Sequence, residues 1–225
     1  MIKYHSDLVQ GDDEWIAARL GILTASEMRL VVTSTGKIAN NAHVRAHVWE
    51  IAAQRITRYV EPRYIGDDML RGKDEEILAR NLYDQNYSPV DEVGFITNSS
   101  FGFTIGYSPD GLVGMDGLIE VKSRRQRFQF ETLATREVPE EYMLQIQTGL
   151  LVSGRQWLDF CSYSGGMKMF TKRVYPDLEM QEAIVKAATA FEASVQNKIE
   201  DYFATCEAPD MRLLPTERVV EQEMV

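Results

Sequence analysis

The apolar residues of this chain recur with a helical period in its first part and with strand-like spacing in its middle. In the first part, four segments place apolar residues three or four positions apart, which predicts helices. These segments begin at Gly11 and Thr24 and span Ala42–Val60 and Asp74–Asn86. A threonine at 24 with Glu27 three residues later fits a capping box. In the fourth segment the residues expected to face inward are Ile77, Leu78, Leu82 and Tyr83.

After this helical part, short β-branched and aromatic runs predict a series of strands. The predicted strands are Val90–Thr97, Thr104–Ser108, Leu118–Ser123, Trp157–Ser162 and Lys168–Tyr175. A helix over Glu140–Ser153 separates the third strand from the fourth, and a long amphipathic helix follows over Asp177–Ala204. This order predicts an α/β fold with a mixed sheet. We expect one domain over residues 1–225, with residues 209–225 as a flexible tail.

Composition is consistent with a globular protein of the cytoplasm. The apolar fraction of 44% can supply a core. No apolar run is long enough to cross a bilayer, and the polar N-terminus lacks the apolar core of a signal peptide. The two cysteines, Cys161 and Cys206, form no C-x-x-C pair, which argues against a disulfide framework. We expect Cys161, Trp49 and Trp157 to belong to the core.

The net charge of −10 is unusual for a protein that binds nucleic acid, where a basic patch is expected. The bases are not spread evenly, however. Four of them fall within Lys122–Arg127, whereas acids crowd Asp67–Glu76 and the C-terminal tail. A basic groove within an acidic exterior is compatible with this distribution.

The candidate chemistry lies in Ser108–Leu112 and in Glu120–Lys122. Asp110 and Glu120 are ten residues apart across a predicted turn, so both can bind one Mg²⁺ through hard oxygen ligands. Lys122 lies two residues after Glu120 and therefore on the same strand face. A metal beside a cation is what phosphodiester hydrolysis requires. The alternative is an ordinary hairpin with a solvated Glu-Lys strand.

A third carboxylate could come from Glu75 or Glu76, at the start of the helix that precedes the strands. The alternative is that both acids complement the helix dipole. His43 and His47 are four residues apart and could share a helical face. Without a third ligand nearby, solvated or packed imidazoles are the simpler interpretation.

Five sequence blocks occur in an order that resembles a known family. They are Arg19–Glu27, Gly72–Glu76, Ser108–Leu112, Glu120–Lys122 and Tyr142–Gln147. Together they resemble the phage lambda exonuclease or YqaJ-like viral recombinase family of PD-(D/E)XK nucleases, over roughly residues 10–165. The resemblance implies a restriction-endonuclease-like core, in which helices flank a central mixed β-sheet.

The resemblance also implies an activity. Members of the family digest one strand of linear double-stranded DNA in the 5′→3′ direction, release mononucleotides and leave a 3′ overhang. They use Mg²⁺, with two ions in each active site, and no ATP; Mn²⁺ is a possible substitute. They form homotrimeric rings and act with a single-strand annealing protein in phage recombination. A phage or prophage protein in a bacterial cytoplasm is therefore expected.

Roles for individual residues follow by matching the family's motifs. The implied metal ligands are Glu76, Asp110, Glu120 and the carbonyl of Val121. Lys122 would orient the attacking water, with Gln145 beside it. A pocket for the terminal 5′-phosphate would consist of Arg19, Thr24, Ser26 and Ser108. The alternative for the pocket is a surface arginine with capping hydroxyls.

Some features depart from the family pattern. The segment Ser123–Arg127 is more basic than expected, so Arg124, Arg125 and Arg127 are candidates for phosphate contacts. The alternative is a solvated loop. Arg45 is a further candidate for contacting DNA, but residues 33–66 align poorly, so no residue that wedges the DNA end can be assigned.

Two other functional classes remain open at this stage. One is a different PD-(D/E)XK nuclease, such as an endonuclease or a Cas4-like enzyme, although the latter needs four cysteines for its iron–sulfur cluster. The other is a DNA-end-binding scaffold without catalysis. A scaffold has no need for an acid cluster that repels itself in the absence of metal.

Overall fold

The strands of this chain form two mixed four-stranded sheets. The structure is a computed structural model that describes residues 1–33, 35–62 and 67–218. The first sheet contains β1 (Ile2–His5), β2 (Leu23–Thr24), β3 (Phe95–Asn98) and β4 (Ile105–Tyr107), in the order β1-β3-β4-β2. β3 is antiparallel to β1 and to β4, whereas β2 runs parallel to β4. Because β2 and β4 are parallel, their C-terminal ends lie at the same edge of the sheet.

The second sheet follows from the later part of the chain. It contains β5 (Gly111–Val113), β6 (Gly117–Ser123), β7 (Trp157–Tyr163) and β8 (Phe170–Val174), in that order. β6 pairs in parallel with β7 and is antiparallel to β5. A backbone bridge between Asp91 and Leu112 adds a contact before β3. The α/β class with mixed sheet pairing is confirmed, although two mixed sheets replace the expected central one.

Seven α-helices are present among the described residues. They are α1 (Asp13–Arg19), α2 (Met28–Val31), α3 (Ala42–Thr57), α4 (Asp67–Asn86), α5 (Gln126–Thr135), α6 (Glu140–Ser153) and α7 (Leu178–Glu207), with a 3₁₀ turn over Ala25–Glu27. Side chains satisfy the free backbone donors at several helix starts. Asp12 caps α1, Asn41 caps α3 and Asp177 caps α7. The helix that was predicted to begin at Thr24 is in fact the 3₁₀ turn followed by the single turn of α2.

The core lies where α3, α6 and α7 pack together and against the strands. Ile146 and Leu150 of α6 share one buried cluster with Ile51 of α3 and Ile184 of α7. Arg55 of α3 also pairs with Glu192 of α7 through two short bonds, of 2.6 and 2.7 Å. Within the described residues, no helix is both long enough and apolar enough to cross a membrane.

Helix α4 and Trp49 differ from the sequence prediction. Ile77, Leu78 and Leu82 are 49%, 52% and 40% exposed. The prediction is confirmed only for Tyr83, which packs with Ala79, four residues earlier, in the cluster that holds Val121. Trp49 is 56% exposed, with Lys198 near its ring, so its assignment to the core was wrong. Cys161 is buried as expected.

The sequence prediction also missed four elements. Strands β1, β2 and β5 have four, two and three residues, too few to show a period. Helix α5 begins at Gln126, so only Arg124 and Arg125 connect it to β6. The alternative of a solvated loop over Ser123–Arg127 is therefore wrong. In the expected tail, residues 219–225 lie outside the described residues.

Candidate active site

Two carboxylates face each other across the β5–β6 hairpin. Gly111 pairs with Ile119 in the antiparallel register, so Asp110 lies opposite Glu120. Side chains at opposed positions of such a pair lie on the same face of the sheet. One Asp110 oxygen accepts a 2.6 Å hydrogen bond from the backbone NH of Val121. The hairpin therefore brings together two of the residues that sequence matching assigned to metal binding.

Glu120 is held by donors from three different elements. Lys122 Nζ donates to Glu120 Oε1 at 2.6 Å, and Gln145 Nε2 of α6 donates to the same oxygen. The hydroxyl of Tyr107, from β4, donates to Glu120 Oε2 at 2.8 Å. Glu120 itself is 1% exposed. A buried carboxylate requires such donors, and here they fix its orientation.

Gly149 allows α6 to come close enough for the Gln145 contact. A Cβ at this position would lie 2.7 Å from the ring of Tyr107. A side chain there would push α6 away from β4, because the Tyr107 ring and the backbone of α6 are closely packed and cannot occupy the same space. The missing side chain therefore lets Gln145, one helical turn earlier, reach Glu120.

Glu76 of α4 shares the electrostatic field of this pair. Burial raises the pKa of Glu76, and Glu120 raises it further, whereas Arg80 and Lys122 oppose the rise. Burial also raises the pKa of Asp110 well above its ordinary value, with Glu120 and then Glu76 adding to the effect. We call Glu76, Asp110 and Glu120 the acid cluster. Glu120 raises the pKa of both Glu76 and Asp110, so the acid cluster is a site of crowded negative charge.

Two further groups complete the surroundings of the acid cluster. Burial alone would lower the pKa of Lys122, but Glu120 and Asp110 outweigh it and raise that pKa. Lys122 therefore stays a cation. Glu75, the neighbour of Glu76, instead accepts a hydrogen bond from the Ser123 hydroxyl at 2.5 Å. The two adjacent glutamates thus have separate environments.

The donor set of the acid cluster fits a hard divalent cation. Carboxylate oxygens and the Val121 carbonyl are the ligand types that Mg²⁺ prefers. A cation there would also relieve the repulsion that raises the pKa of Asp110. In the part of the chain that the structure describes, no three acidic, histidine or cysteine side chains already converge as a compact ligand group. Both oxygens of Glu120 instead accept hydrogen bonds from protein donors, namely Lys122, Gln145 and Tyr107.

Arg19 and Ser108 meet next to the acid cluster. Arg19 Nη1 donates to Ser108 Oγ at 3.0 Å, and the indole NH of Trp15 lies at the same distance from that oxygen. The Arg19 guanidinium lies over the Trp15 ring, 4.3 Å from its centroid. Ser108 precedes Asp110 by two residues, which span at most ~7 Å of chain.

Thr24 and Ser26 form a second pair at the same sheet edge. Their hydroxyl oxygens are 3.3 Å apart. Thr24 is buried, and its hydroxyl donates to Glu27 Oε2 at 2.7 Å, while Ser26 is exposed. Because Thr24 ends β2 and Ser108 follows β4, the two pairs emerge from neighbouring parallel strands. We call Arg19, Thr24, Ser26 and Ser108 the phosphate pocket, after the role that the resemblance implies.

The four arginines proposed for DNA contacts have different environments. Arg124 is buried, with its side chain 6% exposed and bonded to Glu141 at 3.1 Å. Its guanidinium also lies near the Tyr142 ring, so this placement does not favour a direct phosphate contact. Arg125, Arg127 and Arg45 are exposed. Residues 34 and 63–66, in the segment without assigned DNA contacts, lie outside the described part of the chain.

Three residues near the site were not singled out from the sequence. Tyr107 donates a hydrogen bond to Glu120, and Arg80 donates one to the backbone carbonyl of Asp110 at 3.3 Å. The centroid of the Tyr142 ring lies 5.6 Å from Lys122 Nζ. Tyr107 directly precedes Ser108, and Tyr142 opens a block used for the resemblance, so both had a positional signal. Arg80 had the signal of lying four residues after Glu76.

Comparison with known proteins gives a family match over most of this site. The model of the YqaJ-like viral recombinase domain matches residues 14–156. That range includes the acid cluster, Lys122, Gln145 and the phosphate pocket. No curated protein matches the chain.

Solved structures add a similarity over nearly the whole fold. A crystal structure of an alkaline exonuclease (LHK-Exo) from Laribacter hongkongensis is 34% identical, with a TM-score of 0.77, and covers 87% of this chain and 98% of its own. The same protein in complex with dAMP gives a TM-score of 0.78 at the same identity and coverage. A phage-related exonuclease from Haemophilus somnus 129PT is 12% identical, with a TM-score of 0.56, over 80% of this chain and 96% of its own, which shows a shared fold.

Proposed function

We propose that this chain, a nuclease that belongs to the YqaJ-like viral recombinase family, is a metal-dependent 5′→3′ exonuclease acting on linear double-stranded DNA. It would resect one strand to mononucleotides without ATP and leave a 3′ overhang. The observation that carries this proposal is the short distance along the chain between the residues assigned to phosphate binding and the acid cluster with its lysine. Ser108 belongs to the first and Asp110 to the second, and only Pro109 separates them.

Glu76, Asp110, Glu120 and the Val121 carbonyl would hold the metal, which we propose to be two Mg²⁺ ions, with Mn²⁺ as a substitute. When bound, Mg²⁺ supplies Lewis-acid polarisation of the phosphoryl oxygen and a water of lowered pKa. Lys122, Gln145 and Tyr107 hold the Glu120 carboxylate in one orientation beside Asp110. The mutual repulsion of the carboxylates supports the assignment, because it is unfavourable without a cation.

Lys122 and Gln145 would act on the attacking water. Lys122 Nζ and Gln145 Nε2 both donate to Glu120 Oε1, so both groups lie at one side of that carboxylate. A lysine that stays protonated acts as a donor and a positive charge, not as a base. We therefore assign Lys122 to orienting the water and stabilising the charge that develops on the phosphoryl oxygens.

The phosphate pocket would determine the direction of digestion. The Arg19 guanidinium and the hydroxyls of Ser26, Thr24 and Ser108 are groups that bind a phosphate dianion. If the pocket binds the terminal 5′-phosphate, the next phosphodiester bond of that strand lies near Asp110. Each cleavage then creates a new 5′-phosphate end for the same pocket. The complex of the Laribacter enzyme with dAMP, a mononucleotide, is consistent with such a product.

The proposed biological setting rests on the family. We propose a homotrimeric ring, a single-strand DNA annealing protein as partner, and phage-type recombination in the cytoplasm of a bacterial host. Of the arginines proposed from the sequence to contact DNA, three are exposed and could reach the DNA backbone: Arg45, Arg125 and Arg127. Arg124 would act instead on Tyr142 and Glu141.

The test uses linear duplex DNA labelled on one strand, with Mg²⁺ and no ATP, carrying either a 5′-phosphate or a 5′-hydroxyl. We expect mononucleotides from the 5′ end and faster digestion of the phosphorylated end. Lys122→Ala should lower the rate by about a thousandfold or more while DNA ends remain bound. Lys172→Ala is the matched control, because this lysine pairs with Glu137 away from the acid cluster.

Three other results would contradict the proposal. Cuts within covalently closed circles would indicate an endonuclease. DNA-end binding without any cleavage by the unaltered protein would indicate a scaffold. Normal digestion by the Lys122→Ala variant would show that the assigned lysine is not part of the mechanism.

A further inference from the structure

His47 is a buried imidazole of α3 whose two nitrogens face two carboxylates. It is 3% exposed, and its ring stacks on Phe191 with centroids 5.3 Å apart. Nδ1 lies 3.0 Å from Glu50 Oε2, and Nε2 lies 3.7 Å from Glu27 Oε2. Nε2 has no hydrogen-bond partner among the described residues. A buried nitrogen without a partner is unfavourable, so a role for it is expected.

The Glu27 oxygen that faces His47 is occupied by Thr24. Glu27 Oε2 accepts the Thr24 backbone NH at 3.0 Å and the Thr24 hydroxyl at 2.7 Å. A carboxylate oxygen with two short donors gains little from a third. This explains why His47 Nε2 stays beyond hydrogen-bonding distance.

A bound phosphate would change this arrangement. A threonine hydroxyl has one hydrogen to donate, so Thr24 can bind phosphate only by releasing Glu27. Glu27 Oε2 would then lose one of its two donors. His47 Nε2, a buried nitrogen without a hydrogen-bond partner among the described residues, lies 3.7 Å from that oxygen. A shift of less than about 1 Å would bring these two atoms into hydrogen-bonding distance.

We propose that His47 is a positioning residue of the phosphate pocket, and that its Nε2–H replaces the Thr24 hydroxyl on Glu27 when that hydroxyl turns to the 5′-phosphate. The inference rests on the proposed function. Glu50 and Phe191 hold the ring, so Nε2 keeps facing Glu27. Both carboxylates only accept hydrogen bonds, so each ring nitrogen of His47 faces an acceptor.

The test is the ratio of kcat/KM on duplexes with a 5′-phosphate to that on duplexes with a 5′-hydroxyl. His47→Phe keeps the ring stacked on Phe191 but removes both N–H groups. We expect the ratio to fall about fivefold, with the rate on the 5′-hydroxyl end within about twofold of the unaltered protein. A purely structural role would lower both rates together and leave the ratio unchanged.

Two controls separate positioning from general damage. Gln129→Leu removes a buried polar side chain of α5 that bonds Ser162 and Lys168, away from the pocket, and should leave the ratio unchanged. In a Thr24→Val background the hydroxyl is already missing, so His47→Phe should have no further effect on the ratio. Full additivity of the two substitutions would overturn the proposal.

A second variant protects the test against misfolding of His47→Phe. Glu50 is 38% exposed, so Glu50→Gln should fold, and loss of its charge should lower the ratio about twofold. An unchanged ratio in the folded variants overturns the role of His47 but leaves the exonuclease intact. A ratio near one in the unaltered protein overturns the phosphate pocket and this inference with it.

Discussion

The acid cluster and the phosphate pocket are neighbours that are built in opposite ways. In the acid cluster, Glu120 is buried and receives donors from β4, β6 and α6. The pocket depends on short elements: Ser26 is exposed on a 3₁₀ turn, and Arg19 ends the seven-residue helix α1. The acids lie at the second sheet, whereas the pocket lies at the edge of the first. Ser108–Asp110 is the short segment that joins them.

This contrast shows where function conflicts with stability. In the acid cluster, burial and then the neighbouring carboxylates raise the pKa of Asp110, so its charged form is unfavourable and a cation would stabilise it. In the pocket, the described hydrogen bonds join hydroxyls to each other, to the Arg19 guanidinium and to the single carboxylate of Glu27, so no two like charges face each other in these bonds. Changes in the acid cluster should therefore alter activity and stability in opposite directions, and changes in the pocket should alter activity alone.

The largest expected effect is that of Asp110→Asn. Its amide oxygen can still accept the Val121 NH, but the charge for metal binding is gone, so activity should fall by about a thousandfold or more. Without metal, the melting temperature should rise, because one repelling carboxylate is removed. Asp116→Asn, in the same hairpin, is the control for both measurements. A lower melting temperature for Asp110→Asn would contradict the view that this cluster is strained.

Arg19→Ala tests the other half of the comparison. Loss of the guanidinium should reduce kcat/KM on 5′-phosphorylated duplexes about thirtyfold, because a charged donor to phosphate is lost. Digestion of 5′-hydroxyl ends should change much less, and denaturant unfolding should show a loss of at most about 1 kcal/mol. Arg29→Ala, an exposed arginine on the nearby helix α2, serves as control. Equal losses on both ends would argue against a pocket at Arg19.

Gly149→Ala tests whether the packing of α6 supports the acid cluster. The new Cβ would approach the Tyr107 ring to 2.7 Å, so helix and ring must separate. We expect a loss of about 1–3 kcal/mol in unfolding free energy and about tenfold in activity. Gly72→Ala is a matched helical control, since no atom lies within 4 Å of a Cβ there. That change should stabilise the protein by up to about 1 kcal/mol.

The smallest effect concerns the scaffold behind the pocket. Arg55 bonds both Glu192 and the carbonyl of Gly21, which links α3 and α7 to the chain between Arg19 and Thr24. Burial alone would raise the pKa of Glu192, but hydrogen bonds from Arg55 and Gln196 outweigh it and lower that pKa. The stabilisation is therefore present above the ordinary pKa of a glutamate and is lost as the pH falls through the lowered value.

Glu192→Gln should accordingly cost about 1–2 kcal/mol at pH 7 and less near pH 3, as measured by urea unfolding. Glu200→Gln, which removes the charge of an exposed glutamate on the same helix, is the control, and we expect a change below about 0.5 kcal/mol. A pH-independent loss in Glu192→Gln would mean that packing, not charge, links these helices.

The sequence by itself determined the family, the α/β class and the chemistry of the second sheet. Asp110 and Glu120 lie across one short hairpin, and Lys122 shares the face of Glu120, so local spacing was enough to bring them together. Helix α6 was predicted with its observed bounds, because its apolar period is strong. Gln145 could be assigned through the resemblance, although its contact with Glu120 depends on packing against β4.

Only the tertiary structure decided the rest, because it depends on pairing between distant parts of the chain. Strand β2 has two residues and exists through its partner β4, more than eighty positions later. The outward placement of Ile77, Leu78 and Leu82 follows from which face of α4 meets β6, and helical spacing alone cannot select that face. Likewise, Tyr107 reaches Glu120 and His47 faces Glu27 only because separate elements pack together. Sequence spacing fixes neighbours along one element, whereas burial and shape fix neighbours between elements.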